Sequence, residues 1–178
     1  MIRIIAGKYK KRKLAVVPGR STRPTSDFNR EMVFSTYQDY EDKCVLDLFA
    51  GTGALGLEAL SRGAAWVDFV EFATPAIATI LSNIRLLGCE DSCHLYRKKV
   101  HSYLKNCTEK YDIIFIDPPY DKNLVNPTLR SIFEHDILAE DGVIVVEHAS
   151  AELINLDLAD RIFQQKSSKS NSFTWLQK

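Results

Sequence analysis

Apolar runs of strand length alternate with longer amphipathic stretches along most of this 178-residue chain. The candidate strands are 44–49 (CVLDLF), 66–71 (WVDFVE), 93–97 (CHLYR), 112–116 (DIIFI) and 142–147 (GVIVVE). The near-continuous run around Ile113–Ile116 is the pattern of a strand buried on both faces. Between them, the segments near 54–62, 74–87, 100–106 and 124–137 have helical spacing. Such alternation predicts a doubly wound, mostly parallel α/β sheet of Rossmann-like class. Residues 158–166 and 172–177 supply two closing strands.

Upstream, 2–6 (IRIIA) and 13–17 (KLAVV) flank GKYKKR, which reads as a β-hairpin with a basic loop. The turn-forming stretch PGRSTRPTSD follows, ending at Ser26 or Asp27 as a helix cap. A helix from Phe28 to Tyr40 is expected there, with Met32, Val33, Phe34 and Tyr37 on its apolar face. The expected organisation is a basic hairpin and loop over 1–27, ahead of one α/β domain over 28–178.

Composition narrows the class. At 46% hydrophobic and 26% charged, the chain is that of an ordinary globular protein. No stretch approaches the roughly 20 apolar residues of a membrane span. The segment MIRIIAGKYKKRKL carries no apolar core of signal-peptide length, which argues against export. Cys44, Cys89, Cys93 and Cys107 form no CxxC pair and read as reduced thiols. His94, His101, His135 and His148 are scattered, so no metal site is expected. A cytoplasmic protein is the expectation.

A formal net charge of zero conceals a division. The first 30 residues carry nine Lys or Arg against Asp27 alone, a net +8, which leaves −8 on the rest. A basic arm on an acidic domain points to a polyanionic partner read by one end of the molecule.

Three strand ends carry the candidate chemistry. After the first sheet strand, DLFAGTGALGLEAL places Gly51 and Gly53 where a strand turns into a helix, in a GxGxxG spacing without the Walker lysine. The second strand ends on Glu71, 20 residues past Gly51, where a carboxylate can accept from ribose hydroxyls. Together these argue for an adenosine-type cofactor, either a dinucleotide or S-adenosylmethionine. The fourth strand runs into DPPY, and this decides between them. Pro118 and Pro119 donate no backbone hydrogen bond and hold φ fixed, so the strand stops there on a stiff backbone. An exocyclic nucleobase amine is a poor nucleophile because its lone pair is delocalised into the ring. The Asp117 carboxylate and the Pro118 carbonyl can hold both amine hydrogens and aim the lone pair at an electrophilic methyl group. Tyr120 can stack on the flat base.

Taken together, VLDLFAGTGALGLEALSRGA, VE and IIFIDPPY resemble the class I S-adenosylmethionine methyltransferases that modify exocyclic amines. RIIAGKYKKRKL followed by RPTSDFNREMVF resembles one branch, the bacterial RsmD family, which methylates N2 of a guanine in small-subunit (16S) ribosomal RNA. The likeness runs from Arg3 to the closing SFTWL. It implies a seven-stranded sheet with the last strand antiparallel, S-adenosylmethionine as cofactor, and an RNA substrate in the assembled 30S particle; the sequence offers no obvious second interface, so a monomer is expected. By the same resemblance, Asp47, Phe49, Gly51 and Gly53 form the cofactor turn, Glu71 meets the ribose, and Asp117, Pro118 and Tyr120 are catalytic. Arg23, Pro24 and Thr25 match a loop that closes over the cofactor, Thr25 on the cofactor side and Arg23 on the RNA side. Lys8, Lys10, Lys11, Arg12 and Lys13 would neutralise phosphates. Arg30 would face RNA or the cofactor carboxylate, or pair with a helix acid. The target guanine would be unstacked and swung into the pocket.

The chain departs from the pattern at Lys99, where the family type carries an acid that meets the adenine amine; an ammonium cannot accept from an amine. Phe28 and Asn29 are also atypical. Two other readings remain open on sequence: an adenine-N6 methyltransferase, and a non-enzymatic RNA-binding assembly factor of the same fold. Protein glutamine methylation fits less well, because it resembles this chemistry with Asn before the prolines.

Overall fold

The computed structural model describes residues 2–19, 27–120, 122–167 and 171–178. Strands β1 (Ile2–Arg3) and β2 (Lys13–Leu14) form a two-stranded antiparallel ribbon. Helix α1 (Asp27–Thr36) leads to the main sheet. That sheet holds β3 (Cys44–Leu48), β4 (Trp66–Glu71), β5 (Cys93–Arg97), β6 (Tyr111–Ile116), β7 (Leu138–Ala149), β8 (Ile162–Ser167) and β9 (Asn171–Gln177). The intervening helices are α2 (Ala54–Ser61), α3 (Thr74–Leu87), α4 (Val100–Leu104) and α5 (Val125–Glu134).

The strands lie in the order β5-β4-β3-β6-β7-β9-β8. The first five are parallel, and β9 runs antiparallel between β7 and β8. This is the expected seven-stranded sheet. Alternation along each strand divides the core into two layers. Val45, Ile113, Phe115, Val143 and Val145 face α1, α2, α3 and the arm. Leu46, Ile114, Ile116, Ile144 and Val146 face α4 and α5. The chain leaves β3 towards β4 on one side and returns to β6 on the other, so a crevice opens at the carboxyl ends of β3 and β6.

The arm is fastened by the backbone of its own strand. The ribbon pairs only two residues a side, because the Ile5 and Ala6 N–H groups turn away from it to the Glu58 carboxylate, at 2.7 and 3.0 Å. At the C-terminal end of α2, Lys8 donates its N–H to the Ser61 carbonyl at 2.7 Å and Tyr9 donates to the Ser61 hydroxyl at 2.9 Å. Gly7 sits at φ 79°, and a Cβ there would fall 1.6 Å from the Ser61 carbonyl oxygen. Only glycine fits, on both conformational and steric grounds. Ile2, Ile4 and Leu14 are buried in the same core layer as α1 and α2.

Several boundaries differ from the sequence expectation: the hairpin strands expected over 2–6 and 13–17 are shorter, and α5 ends at Glu134 rather than 137. Helix α1 ends at Thr36, four residues early, and Tyr40 folds back to bury its ring 5.0 Å from Phe34. Strand β7 starts at Leu138 rather than 142, because Leu138 is itself buried and pairs with Tyr111 across a register shift. Residues 156–161 form a short 3-10 turn ahead of β8 instead of its first residues. Ser26, one of the two expected caps, lies outside the described residues; Asp27 opens α1.

Candidate functional site

Register sets out the site as a row. Leu48 pairs with Val70 on one side and Ile116 on the other, and Ile116 pairs with Val146. One residue further on, Glu71, Phe49, Asp117 and Glu147 therefore stand abreast at the carboxyl edge of β4, β3, β6 and β7. At a strand spacing of about 4.8 Å, Asp117 and Glu147 are next-door neighbours, and Glu71 is roughly 10 Å from Asp117 along the edge.

The glycine turn leaves β3 through three left-handed residues, Phe49 (φ 59°), Gly51 (φ 58°) and Gly53 (φ 75°). A phenylalanine in this region is strained, and such strain is held where a loop must keep one shape. Two carboxylates hold it. Glu71, 5% exposed, accepts from the Gly51 N–H at 3.0 Å and from the Phe72 and Ala73 N–H groups at 2.8 Å each. Asp47, 2% exposed, accepts from the Gly56 N–H at 2.9 Å. Burial pushes the Asp47 carboxyl up to about 8; the Gly56 hydrogen bond opposes this and nearby Glu71 adds to it. Asn83 on α3 steadies the turn from outside: its side-chain amide donates to the Thr52 carbonyl at 2.9 Å and exchanges two hydrogen bonds with the backbone of Ala15 in the arm.

Next in the row, Asp117 is half-buried and Pro118 buried, with Pro119 exposed behind it. Tyr120 exposes 42% of its surface while its hydroxyl donates to Glu147 Oε1 at 2.9 Å. Asn171, the first residue of β9, donates to the same Glu147 oxygen and to the Tyr120 hydroxyl, both at 2.7 Å. Burial first, then Glu147 and Asp117, raises the Tyr120 phenol well above its ordinary value, so it stays a donor at working pH.

Residues 2–177 match the family described as Conserved hypothetical protein 95. The chain belongs to that family. It is the RsmD branch expected from the sequence. Ribosomal RNA small subunit methyltransferase D of Escherichia coli (strain K12) is 35% identical over 147 residues, covering 82% of this chain and 74% of that protein. The solved structure of yhhF from Escherichia coli superposes with a TM-score of 0.87 at 31% identity, covering 99% of this chain and 97% of the other. At the level of fold alone, SMU.776, solved in complex with SAH, superposes with a TM-score of 0.65 at 22% identity, over 84% of this chain and 49% of that one.

Most residues named from this family's pattern converge on the edge: Asp47, Phe49, Gly51, Gly53, Glu71, Asp117, Pro118 and Tyr120 stand in or beside the row. Lys8, Lys10, Lys11, Arg12 and Lys13 are exposed together on the arm's turn. That turn docks at the C-terminal end of α2, about 12 Å of helix away from the glycine turn. Lys99 is exposed at the N-terminus of α4, after β5. Arg23, Pro24 and Thr25 lie outside the described residues.

Arg30 needs correction as an RNA contact. Its side chain is fully buried, donating to Asp27 at 2.6 Å and to the Arg3 carbonyl at 2.8 Å, with Glu58 at 4.0 Å. Of the three roles open to it on sequence, pairing with a helix acid is the one the structure shows. Four further residues escaped the sequence reading. Glu147 ends a buried strand on an acid just as Glu71 does, and that signal was visible in GVIVVE. Glu58 is a lone acid in the apolar helix GLEALS, which signals a buried partner. Asn83 and Asn171 carry no such mark. Among the described residues no cluster of His, Cys, Asp or Glu suits a metal ion, and no helix is long and apolar enough to cross a membrane.

Proposed function

We propose that this chain transfers a methyl group from S-adenosylmethionine to N2 of a guanine in small-subunit ribosomal RNA, within the assembled 30S particle, as a cytoplasmic monomer. The observation that carries the reading is the row itself. It puts a buried acid, a strained glycine turn and the DPPY turn side by side, in the order that adenosine, methionine and target base would occupy. The relatives named as small-subunit methyltransferases support the RNA class.

The residues fit the cofactor. The Glu71 carboxylate already uses three of about four lone-pair directions on the backbone, leaving room for one ribose hydroxyl beside its clasp on Gly51. The left-handed turn brings bare backbone to the crevice, and Asp47 holds the start of the helix behind it through the Gly56 N–H. The exposed ring of Phe72, directly after Glu71, is placed for the adenine, which offsets the loss of an acid at Lys99. When bound, S-adenosylmethionine supplies a methyl group on a positively charged sulfur.

Asp117 and the Pro118 carbonyl then accept the two hydrogens of the guanine amine and localise its lone pair toward that carbon. As the N–C bond forms, the C–S bond breaks and its electron pair stays on sulfur. The positive charge passes to the amine, and Asp117 or solvent takes the surplus proton. Tyr120 stacks against the base and keeps it in plane. The basic arm holds phosphates elsewhere on the same RNA.

The product tests the assignment. Unmethylated 30S subunits incubated with labelled methyl donor are expected to yield N2-methylguanosine on nuclease digestion and mass spectrometry. N6-methyladenosine would transfer the chemistry to adenine, and the absence of any labelled base would return the chain to an RNA-binding factor.

A further inference from the structure

Glu147 and Asn171 belong to none of the roles assigned so far, yet they stand on the target side of the row. Glu147 is 4% exposed, on the strand next to Asp117 and level with it. A buried carboxylate is costly unless it is well hydrogen-bonded. Here one of its oxygens gathers two donors, the Tyr120 hydroxyl and the Asn171 amide, and the amide also reaches the Tyr120 hydroxyl. The result is a closed triangle with sides of 2.9, 2.7 and 2.7 Å. Its three corners come from the turn after β6, the end of β7 and the start of β9.

A tyrosine with 42% of its surface exposed ordinarily samples several ring orientations, because χ2 is soft and little packs against it. The triangle removes that freedom at the far end of the ring. It fixes the hydroxyl while much of the residue, three positions after Asp117, stays exposed. A flat base needs a flat, fixed partner, and stacking lost through ring rotation is felt directly in the placement of the reacting amine.

We infer that Glu147 and Asn171 are positioning residues for methyl transfer: they lock the Tyr120 ring as the stacking face for the target base. The inference rests on the proposed guanine reaction. The lock depends on an acceptor at the end of β7 and not on its charge, because a glutamine oxygen accepts from the same two donors.

The test measures kcat and KM on 30S subunits, with the cofactor Kd measured separately, for Glu147→Leu, Glu147→Gln, Tyr120→Phe and the double variant Glu147→Leu/Tyr120→Phe. Glu147→Leu and Tyr120→Phe are each expected to lower kcat by about ten- to a hundredfold, from misplacement of the base. Cofactor Kd is expected to stay unchanged, and Glu147→Gln to keep most of the activity. The double variant should be no worse than either single one, as expected when two residues act through one contact. Additive losses, or a Glu147→Gln as damaged as Glu147→Leu, would overturn the inference. Loss of cofactor binding in Glu147→Gln would overturn it too, by making the residue a structural support of the whole edge. If wild-type protein methylates no subunit, the proposed function fails and the triangle is not at fault.

Discussion

Asp47 shows how one residue couples the site to the stability of the fold. Its carboxyl is held up to about 8 because burial strips its water and only one backbone N–H, from Gly56, replaces it. The folded state therefore keeps a proton that the unfolded chain releases near 4. Stability is greatest below that point and falls as pH rises towards 8. Asp47→Asn keeps an acceptor for Gly56 and removes the titration. Thermal unfolding followed from pH 5 to pH 9 is expected to show Asp47→Asn gaining on the wild type by several degrees, levelling off above pH 8. A constant difference across the range would mean that the buried carboxyl does not hold its proton. Glu71 and Asp117 were legible in the sequence because each is an acid ending an apolar run, whereas Asp47, inside VLDLF, was named only from the family's pattern. Arg30 was not legible, since nothing in NREMVF reveals that Arg3 and Asp27 enclose it.

Among the elements, α2 does two jobs at its two ends. Its N-terminus carries the glycine turn, and its C-terminal half anchors the arm through Glu58 and Ser61. Glu58 is fully buried, bonded to Arg62 at 2.8 Å and to two arm N–H groups, so its removal strands several polar groups at once. Glu58→Ala is expected to cost about 3–5 kcal/mol and to lower Tm by on the order of 10 °C. Gly7→Ala should release the arm with a smaller loss, detectable as faster proteolysis near residues 8–13. An unchanged digestion pattern would mean that the ribbon is held without that contact. The sequence disclosed the strands and helices from their periodicity, but not that the ribbon would spend its N–H groups on a helix carboxylate. That is a contact across 52 and 53 residues, which no local pattern encodes.

For the whole molecule, topology and charge divide the labour. The switch in strand order between β3 and β6 makes a crevice that residues 68 positions apart share, as Asp117 and Phe49 do. Five of the nine basic residues among the first 30, Lys8, Lys10, Lys11, Arg12 and Lys13, are displayed at a turn removed from that crevice. Reversing Lys10, Lys11 and Arg12 to glutamate is therefore expected to raise KM for 30S subunits and to flatten the salt dependence of binding by about two to three units of log–log slope. The cofactor Kd should not move. An unaltered salt slope would reduce the arm to a solvated surface.

The clamp at the end of β6 carries the proposed chemistry. Single-turnover methyl transfer to unmethylated 30S subunits, measured for Asp117→Ala beside the cofactor Kd of the same preparation, addresses it most directly. The predicted result is a rate lowered by about 10²–10³-fold or more, with cofactor binding within a factor of a few of wild type. A wild-type rate in that variant would contradict the claim that Asp117 makes the amine a nucleophile.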